Sequence, residues 1–376
     1  MTGPEGVTGG PLALEGTCPS CGAPVGARDS FCESCGTELT PPMVSTEPPG
    51  YEAECPVCSV DPQAAPSVIT PDGYCESCGR RAPTGRDHSE LDLGPVAGVT
   101  DRGLRHTRNE DAMGLATADT SGGPVAIAVV CDGVSTSPRP DEASLAATQA
   151  SVRALLTAVR RGDDPVDASL IAVHSAHHAL AMIGSPGDAP STTYISAVIG
   201  RDAVTVCWLG DSRAYWLSTG PDVLRLSTDD SLAEELVARG DMNEAQALAT
   251  PQAHVITRWL GADLPELEPH LVRFEPPRPG VVLVCSDGLW NYRPDAGGLA
   301  ELALPAAFAD PLGTAAELVK FAIDAGGMDN ITVVLVPFPL APFPEEPSHQ
   351  KTVPIRRLAP LSRRTPHDRD RLHRRR

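Results

Sequence analysis

The sequence predicts an α+β domain built on antiparallel sheets, and three observations carry that prediction. Strand-like runs come as hairpin pairs: TTYISAVIG turns at Arg201–Asp202 and returns as AVTVCWLG. Helical segments are inserted in pairs, not one after each strand as a parallel sheet would need. Three apolar runs also meet a carboxylate at one end. Val125–Cys131 precedes Asp132, Val281–Cys285 precedes Asp287, and Ile331–Val336 follows Asp329 and Asn330. A run of Val and Ile without polar alternation marks a strand buried on both faces. A carboxylate at the mouth of such a strand, followed by a Gly that lets backbone approach a ligand, suits a hard cation.

Composition narrows the class. With 376 residues, 41% of them hydrophobic and 21% charged, the chain can bury one large core plus accessory pieces. The formal net charge of -19 is unevenly spread, because residues 351–376 carry +8 and leave -27 on the rest. So acidic a body argues against nonspecific nucleic-acid binding and fits a protein that gathers divalent cations. The opening MTGPEGVTGG has neither the basic region nor the apolar core of a secretory signal. The apolar stretch 331–343 is broken by Pro337, Pro339 and Pro342 and is too short to span a bilayer. A soluble, cytoplasmic, monomeric protein without membrane attachment is expected.

Taken in order, residues 1–14 have little to bury and are expected to be disordered. Residues 15–83 hold four CxxC pairs: Cys18/Cys21, Cys32/Cys35, Cys55/Cys58 and Cys75/Cys78. Each pair can point two thiolates at one ion, and two pairs complete a tetrahedral four-thiolate zinc site. The segment is too poor in apolar residues to fold on its own core, so two structural Zn²⁺ ions are expected to supply much of its folding free energy. No export signal supports a disulfide scaffold instead. Closed sites leave no position for a substrate, and the segment is thin in Lys and Arg, which favours a structural or protein-docking role over DNA binding. Residues 84–94, rich in charge and turn residues, are expected to form a linker.

A short strand is predicted at Val96–Thr100. The polar TDRGLRHTRNED after it reads either as a solvated loop or as a mixed site, with Arg for an anion and acids for a cation. After the strand ending at Asp132 and Gly133, apolar positions at helical spacing predict helices over 142–161 and about 166–183. His174 and His178 on the second lack the acid of a metal-binding HExxH motif, so a solvated or packed helix face is expected. Gly210–Arg213, GDSR, interrupts the strand pattern where a bulge or tight bend would sit. TDDS, Thr228–Ser231, should cap a helix through about Arg239, and another helix is predicted near 313–325. Residues 339–376 are Pro-rich and then Arg-rich, the composition of a disordered tail whose basic charge leaves open docking on an acidic partner, on nucleic acid or on the acidic body itself.

In order, the stretches TDRGLRHTRNEDA, VVCDGVS, STTYISAVI, WLGDSRAYWL, STDDSLAEELVARGD, TPQAHVITRWLG, VLVCSDGLW and GGMDNITVVLV resemble the metal-dependent serine/threonine phosphatases of the PPM (type 2C) family, bacterial type. The resemblance implies a phosphatase domain over 95–338 and a four-layer αββα sandwich, two antiparallel sheets flanked by helices, preceded here by the zinc-ribbon region. It implies two Mn²⁺ or Mg²⁺ ions with Asp132 as the carboxylate shared by both, the backbone of Gly133 as a further ligand, and Asp287 and Asp329 completing the carboxylate set. Asp211 matches the acid that, with Asp287, holds a third and weaker ion. Glu110 and Asp111 match an acidic pair that acts through water. The activity implied is hydrolysis of phosphoserine and phosphothreonine on protein substrates, countering serine/threonine kinases, by a metal-bridging hydroxide and without a phosphoenzyme. A pseudophosphatase, or a zinc-ribbon binding module, is the alternative. Cys131 and Cys285 sit inside apolar runs without a basic partner and read as core, not as nucleophiles.

Two departures from the family pattern stand out. Where the family usually places a phosphate-binding Arg, this chain has His106, flanked by Arg105 and Arg108; one of these could still reach the phosphate, and Arg105 is slightly favoured over Arg108. The loop after Gly133 reads VSTSPRP where bacterial members commonly carry glycines, and Val134 cannot serve as a general acid.

Overall fold

The structure, a computed structural model, describes residues 85–340 apart from 186–187 and 262–266, with short pieces at 16–17, 24–25, 44–45, 69–70, 74–79 and 82. In chain order the strands and helices begin with β1 (Gly16–Thr17), β2 (Pro24–Val25), β3 (Val44–Ser45), β4 (His88–Asp92), β5 (Ala97–Asp101), β6 (Asp111–Thr120) and β7 (Gly123–Asp132). Then come α1 (Pro140–Arg161), α2 (Pro165–Ile183), β8 (Ser191–Thr192), β9 (Tyr194–Ile199), β10 (Val204–Leu209), β11 (Arg213–Leu217), β12 (Leu224–Arg225), α3 (Leu232–Ala238) and α4 (Glu244–Leu248). The rest are β13 (Leu260–Gly261), β14 (His270–Phe274), β15 (Gly280–Cys285), α5 (Asp287–Trp290), α6 (Ala296–Ala303), α7 (Pro311–Ala325) and β16 (Ile331–Phe338).

Two six-stranded antiparallel sheets form the body. One runs β14-β10-β9-β7-β6-β3 and the other β12-β11-β15-β16-β5-β4. Strand β7 shows why its sequence has no polar alternation. Ala126, Ala128 and Val130 point into the core between the sheets, while Ile127, Val129 and Cys131 point at the helix pair α1 and α2. The same division holds in β15, where Val282 and Val284 face the other sheet and Val281, Leu283 and Cys285 face α5–α7. Helices therefore cover both outer faces, and the order of layers is helix, sheet, sheet, helix.

Local chemistry sets the helix ends. Asp141 and Glu142 fall in the first turn of α1 and Arg160 and Arg161 in its last, each matched to the helix dipole. Asp164 caps α2 by accepting from Val166 N at 2.8 Å, and Ser231 caps α3 by accepting from Glu234 N at 3.2 Å.

Two expectations need correction. Residues 88–92 lie in the stretch read as linker, yet they form an edge strand paired to β5, with Leu91 opposite Gly98 and buried in the sandwich core. Leu91 and Leu93 alternate with acids, a period-two signal diluted by the surrounding charge. The GDSR interruption is also more than a bulge. The chain leaves one sheet at Leu209 and enters the other at Arg213, so Gly210–Ser212 is the crossover between layers. Of the cysteine pairs, Cys18, Cys21, Cys32, Cys35, Cys55 and Cys58 lie outside the described residues, as does the tail beyond residue 340. Cys75, buried, and the exposed Cys78 share a turn closed by Gly79 N to Cys75 O at 2.8 Å.

Candidate metal centre

One end of the sandwich collects the carboxylates. Asp111 opens β6 and Asp132 closes β7, and the two stand opposite each other in the ladder. Asp287 follows β15 and Asp329 precedes β16, neighbouring strands of the other sheet. Asp211 lies in the crossover between sheets. Residues far apart in sequence thus meet because both sheets deliver their strand ends to the same place.

The backbone around Asp132 is held on every side. Its N–H donates to Thr193 Oγ1 at 3.0 Å, and its carbonyl accepts from Thr193 N at 2.7 Å and Thr192 Oγ1 at 2.8 Å. The next residue, Gly133, donates to Glu110 O at 3.1 Å. Asp111 is buried, and its Oδ2 accepts from Ser286 Oγ at 2.7 Å and Thr332 Oγ1 at 2.6 Å. Its Oδ1 is buried with no partner among the described residues, and so is Oδ1 of Asp287. Asp287 Oδ2 accepts from Asn291 Nδ2 at 3.1 Å.

These acids disturb one another. Burial, then the charge of Asp329, pushes Asp111 up to about 6, against the pull of its two hydroxyl donors. Burial and the charge of Asp229 push Asp211 up to about 7, only partly offset by Arg213. Asp132 and Asp287 are raised well above the ordinary carboxylate range, by burial first and then by the remaining acids of the cluster. A set of clustered carboxylates, two with unpartnered buried oxygens, holds more negative charge than its surroundings neutralise. Hard divalent cations with oxygen ligands fit that donor set, and a thiolate-preferring ion does not. Among the described residues no three His, Cys, Asp or Glu side chains close on one point as a ready-made cage. Carboxylates spread around a site suit ions that keep several of their waters.

The rim differs from the expectation in detail. Both oxygens of Glu110 already carry donors, Arg108 Nε at 2.8 Å on Oε1 and Ser135 Oγ at 2.5 Å on Oε2. Arg108 also reaches Asp141 Oδ1 at 3.3 Å, so its guanidinium is committed to acids. Arg105 is exposed and makes no ion pair with another described residue. His106 Nε2 stands 3.1 Å from Asp329 Oδ1. The VSTSPRP loop is not loose: Val134 N donates to Ser191 O at 3.0 Å, and Ser137 Oγ accepts from Ser191 N at 3.2 Å.

Several residues that organise the site were not visible as such in the sequence. Arg86, from the supposed linker, is largely buried and donates to Asp141 O at 3.0 Å and Asp111 O at 3.4 Å. Asn330 Oδ1 accepts from Glu110 N at 2.7 Å, while its amide nitrogen donates to Arg102 O and Arg108 O at 2.9 and 3.0 Å. Trp290 Nε1 donates to Asp211 O at 2.9 Å, and Arg213 lies 3.6 Å above the Trp290 ring while gripping Asp229 at 2.6 Å. A polar residue directly beside a strand-end acid, as Asn330 and Ser286 are, was the available signal. Arg86 offered none. By contrast, His174 and His178 line a shallow groove on the outer face of α2 with Leu170, Ile171 and Ser175, without an acid among them. Burial raises the thiol of Cys131 to about 12 and drives that of Cys285 further upward, which removes both as nucleophiles.

Known proteins share this fold. The family described as Protein phosphatase 2C matches residues 102–317. A serine/threonine phosphatase, stp, of Listeria innocua is 33% identical over 147 residues, 39% of this chain and 56% of its own length. The serine/threonine protein phosphatase PstP of Mycobacterium tuberculosis is 30% identical over 251 residues, 64% of this chain and 44% of its own length. The chain thus spans about half the length of the curated relatives it matches. Among solved structures, the M. tuberculosis phosphatase PstP/Ppp superposes with a TM-score of 0.53 at 27% identity, covering 64% of this chain and 97% of that one. The catalytic domain of PstP in complex with two manganese ions gives a TM-score of 0.51 at 25% identity, covering 64% and 96%. Among the described residues no helix is long and apolar enough to cross a membrane.

Proposed function

This chain belongs to the protein phosphatase 2C family, and from that premise we propose that it removes phosphate from phosphoserine and phosphothreonine on protein substrates, using Mn²⁺ or Mg²⁺. The observation that carries the reading is the strand-end carboxylate cluster, with buried oxygens on Asp111 and Asp287 that have no partner among the described residues. Asp132, the backbone of Gly133, Asp287 and Asp329 would hold two ions, and Asp211 with Asp287 a third. When bound, the ions supply a water acidic enough to ionise near neutral pH and positive charge opposite the phosphoryl oxygens. Asp111, fixed by Ser286 and Thr332, supports the cluster from beneath. Glu110, bound to Arg108 and Ser135, sets the rim. Arg105 is the guanidinium left to hold the phosphoryl group, since Arg108 is occupied by Glu110 and Asp141. Val134 has no proton to offer the leaving alkoxide.

The reading extends to a cytoplasmic monomer acting on the products of serine/threonine kinases, with an acidic body that does not attract nucleic acid. The eight cysteines Cys18, Cys21, Cys32, Cys35, Cys55, Cys58, Cys75 and Cys78 would hold two structural zinc ions, because their spacing and the thin apolar content around them require a metal to fold. The test is phosphate release from a phosphothreonine peptide. Turnover is expected with Mn²⁺ and is expected to stop on chelation; turnover that persists in EDTA removes the metal-dependent mechanism.

A further inference from the structure

The rim beside Asp329 carries two exposed apolar side chains on interlocked loops. Leu104 is 62% exposed and Met328 57%. Either alone would be unremarkable, since single apolar residues are common on surfaces. Here the two loops are pressed together by backbone. Gly103, at φ +69°, sits so close that a Cβ would stand 2.1 Å from Asp329 O, and Gly327, at φ +53°, would place one 2.8 Å from Leu104 Cγ. Only glycine tolerates those conformations at that separation. Leu104 N donates to Gly327 O at 2.8 Å, and Met328 N donates to Tyr292 OH at 2.9 Å. Met328 immediately precedes Asp329, and Leu104 immediately precedes Arg105. The apolar pair therefore adjoins, along the chain, the acid and the guanidinium of the proposed site.

We propose that Leu104 and Met328 form an apolar ledge that receives a large apolar side chain within two residues of the phosphorylated residue of a protein substrate. The inference rests on the phosphatase reading and adds the substrate class to it. A phosphoryl group held by Arg105 brings the flanking residues of its own peptide over this rim. An apolar residue there covers Leu104 and Met328, while a polar one gains nothing from them. Burying part of one such side chain corresponds to about a tenfold preference.

The experiment compares kcat/KM, with Mn²⁺, for phosphothreonine peptides that differ only in Leu or Ser at the two positions on either side, with p-nitrophenyl phosphate as a substrate that has no flanking residues. Wild-type protein is expected to prefer the Leu peptides about tenfold. The double variant Leu104→Ser, Met328→Ser is expected to bring the ratio near one, and Leu104→Met, Met328→Leu to preserve it. The ratio is insensitive to a general loss of folded enzyme. Turnover of p-nitrophenyl phosphate with no preference among the wild-type peptides, or a preference unchanged by the serine pair, overturns the ledge and leaves the hydrolase standing. Absence of Mn²⁺-dependent turnover of every substrate overturns the hydrolase and the ledge with it.

Discussion

Asp132 and Asp111 face each other across one rung of a ladder, a placement that costs stability unless something positive sits between them. Cross-strand like charges repel, and Asp111 is buried while Asp132 is half-buried. Replacing Asp132 with Asn removes one charge without changing shape. Asp132→Asn is expected to lower kcat/KM on a phosphothreonine peptide by more than about 100-fold, as loss of a metal ligand should. The same variant is expected to melt a few degrees higher than wild type when manganese is absent, because the repulsion is relieved. A structural role alone would lower both activity and melting temperature, so calorimetry beside kinetics separates the two. The strand-end placement of Asp132, Asp287 and Asp329 was legible in the sequence because each follows or precedes an uninterrupted buried run. Arg86 was not, because its purpose is to satisfy two backbone carbonyls that are distant in sequence, and no local pattern records that.

At the scale of elements, the crossover between β10 and β11 ties the site to the region after it. Arg213 is 1% exposed, pairs in bidentate fashion with Asp229 just before α3, and lies over Trp290, which in turn fixes the carbonyl of Asp211. Arg213→Leu leaves Asp229 buried and uncompensated, at a cost of about 3–5 kcal/mol. Chemical denaturation is expected to show that loss. A change below about 1 kcal/mol would mean that Asp229 turns outward and that the buried pair does not hold the crossover. The strands, the long helices and a cap within Thr228–Ser231 follow from periodicity and capping chemistry in the sequence. The edge strand β4 and the sheet change at Gly210 do not, since both depend on which neighbour a short segment finds across the sandwich.

Over the whole molecule, an acidic body with a raised-pKa cluster makes stability and metal affinity move in opposite directions with pH. Asp111 ionises at about 6 and Asp211 at about 7 in the folded chain, whereas unfolded aspartates ionise near 3.9. Between those values the native state binds more protons than the unfolded state, so stability without manganese falls as pH rises toward 7 and then levels. Thermal melting of manganese-free protein is expected to drop on the order of 5 °C between pH 5 and pH 8. Manganese must displace those protons, so the stabilisation it provides should grow over the same interval. A melting temperature that climbs with pH in the absence of metal would contradict the burial of uncompensated acids.

A carboxylate shared by two ions, as proposed for Asp132, has a signature in Mn²⁺ binding to the full chain, measured by isothermal titration calorimetry near pH 7.5. Two tight equivalents are expected for wild type, with a weaker third. Asp132→Asn should lose both tight sites together, not one. Identical isotherms for the two proteins, or loss of a single site, would contradict a carboxylate shared by both ions.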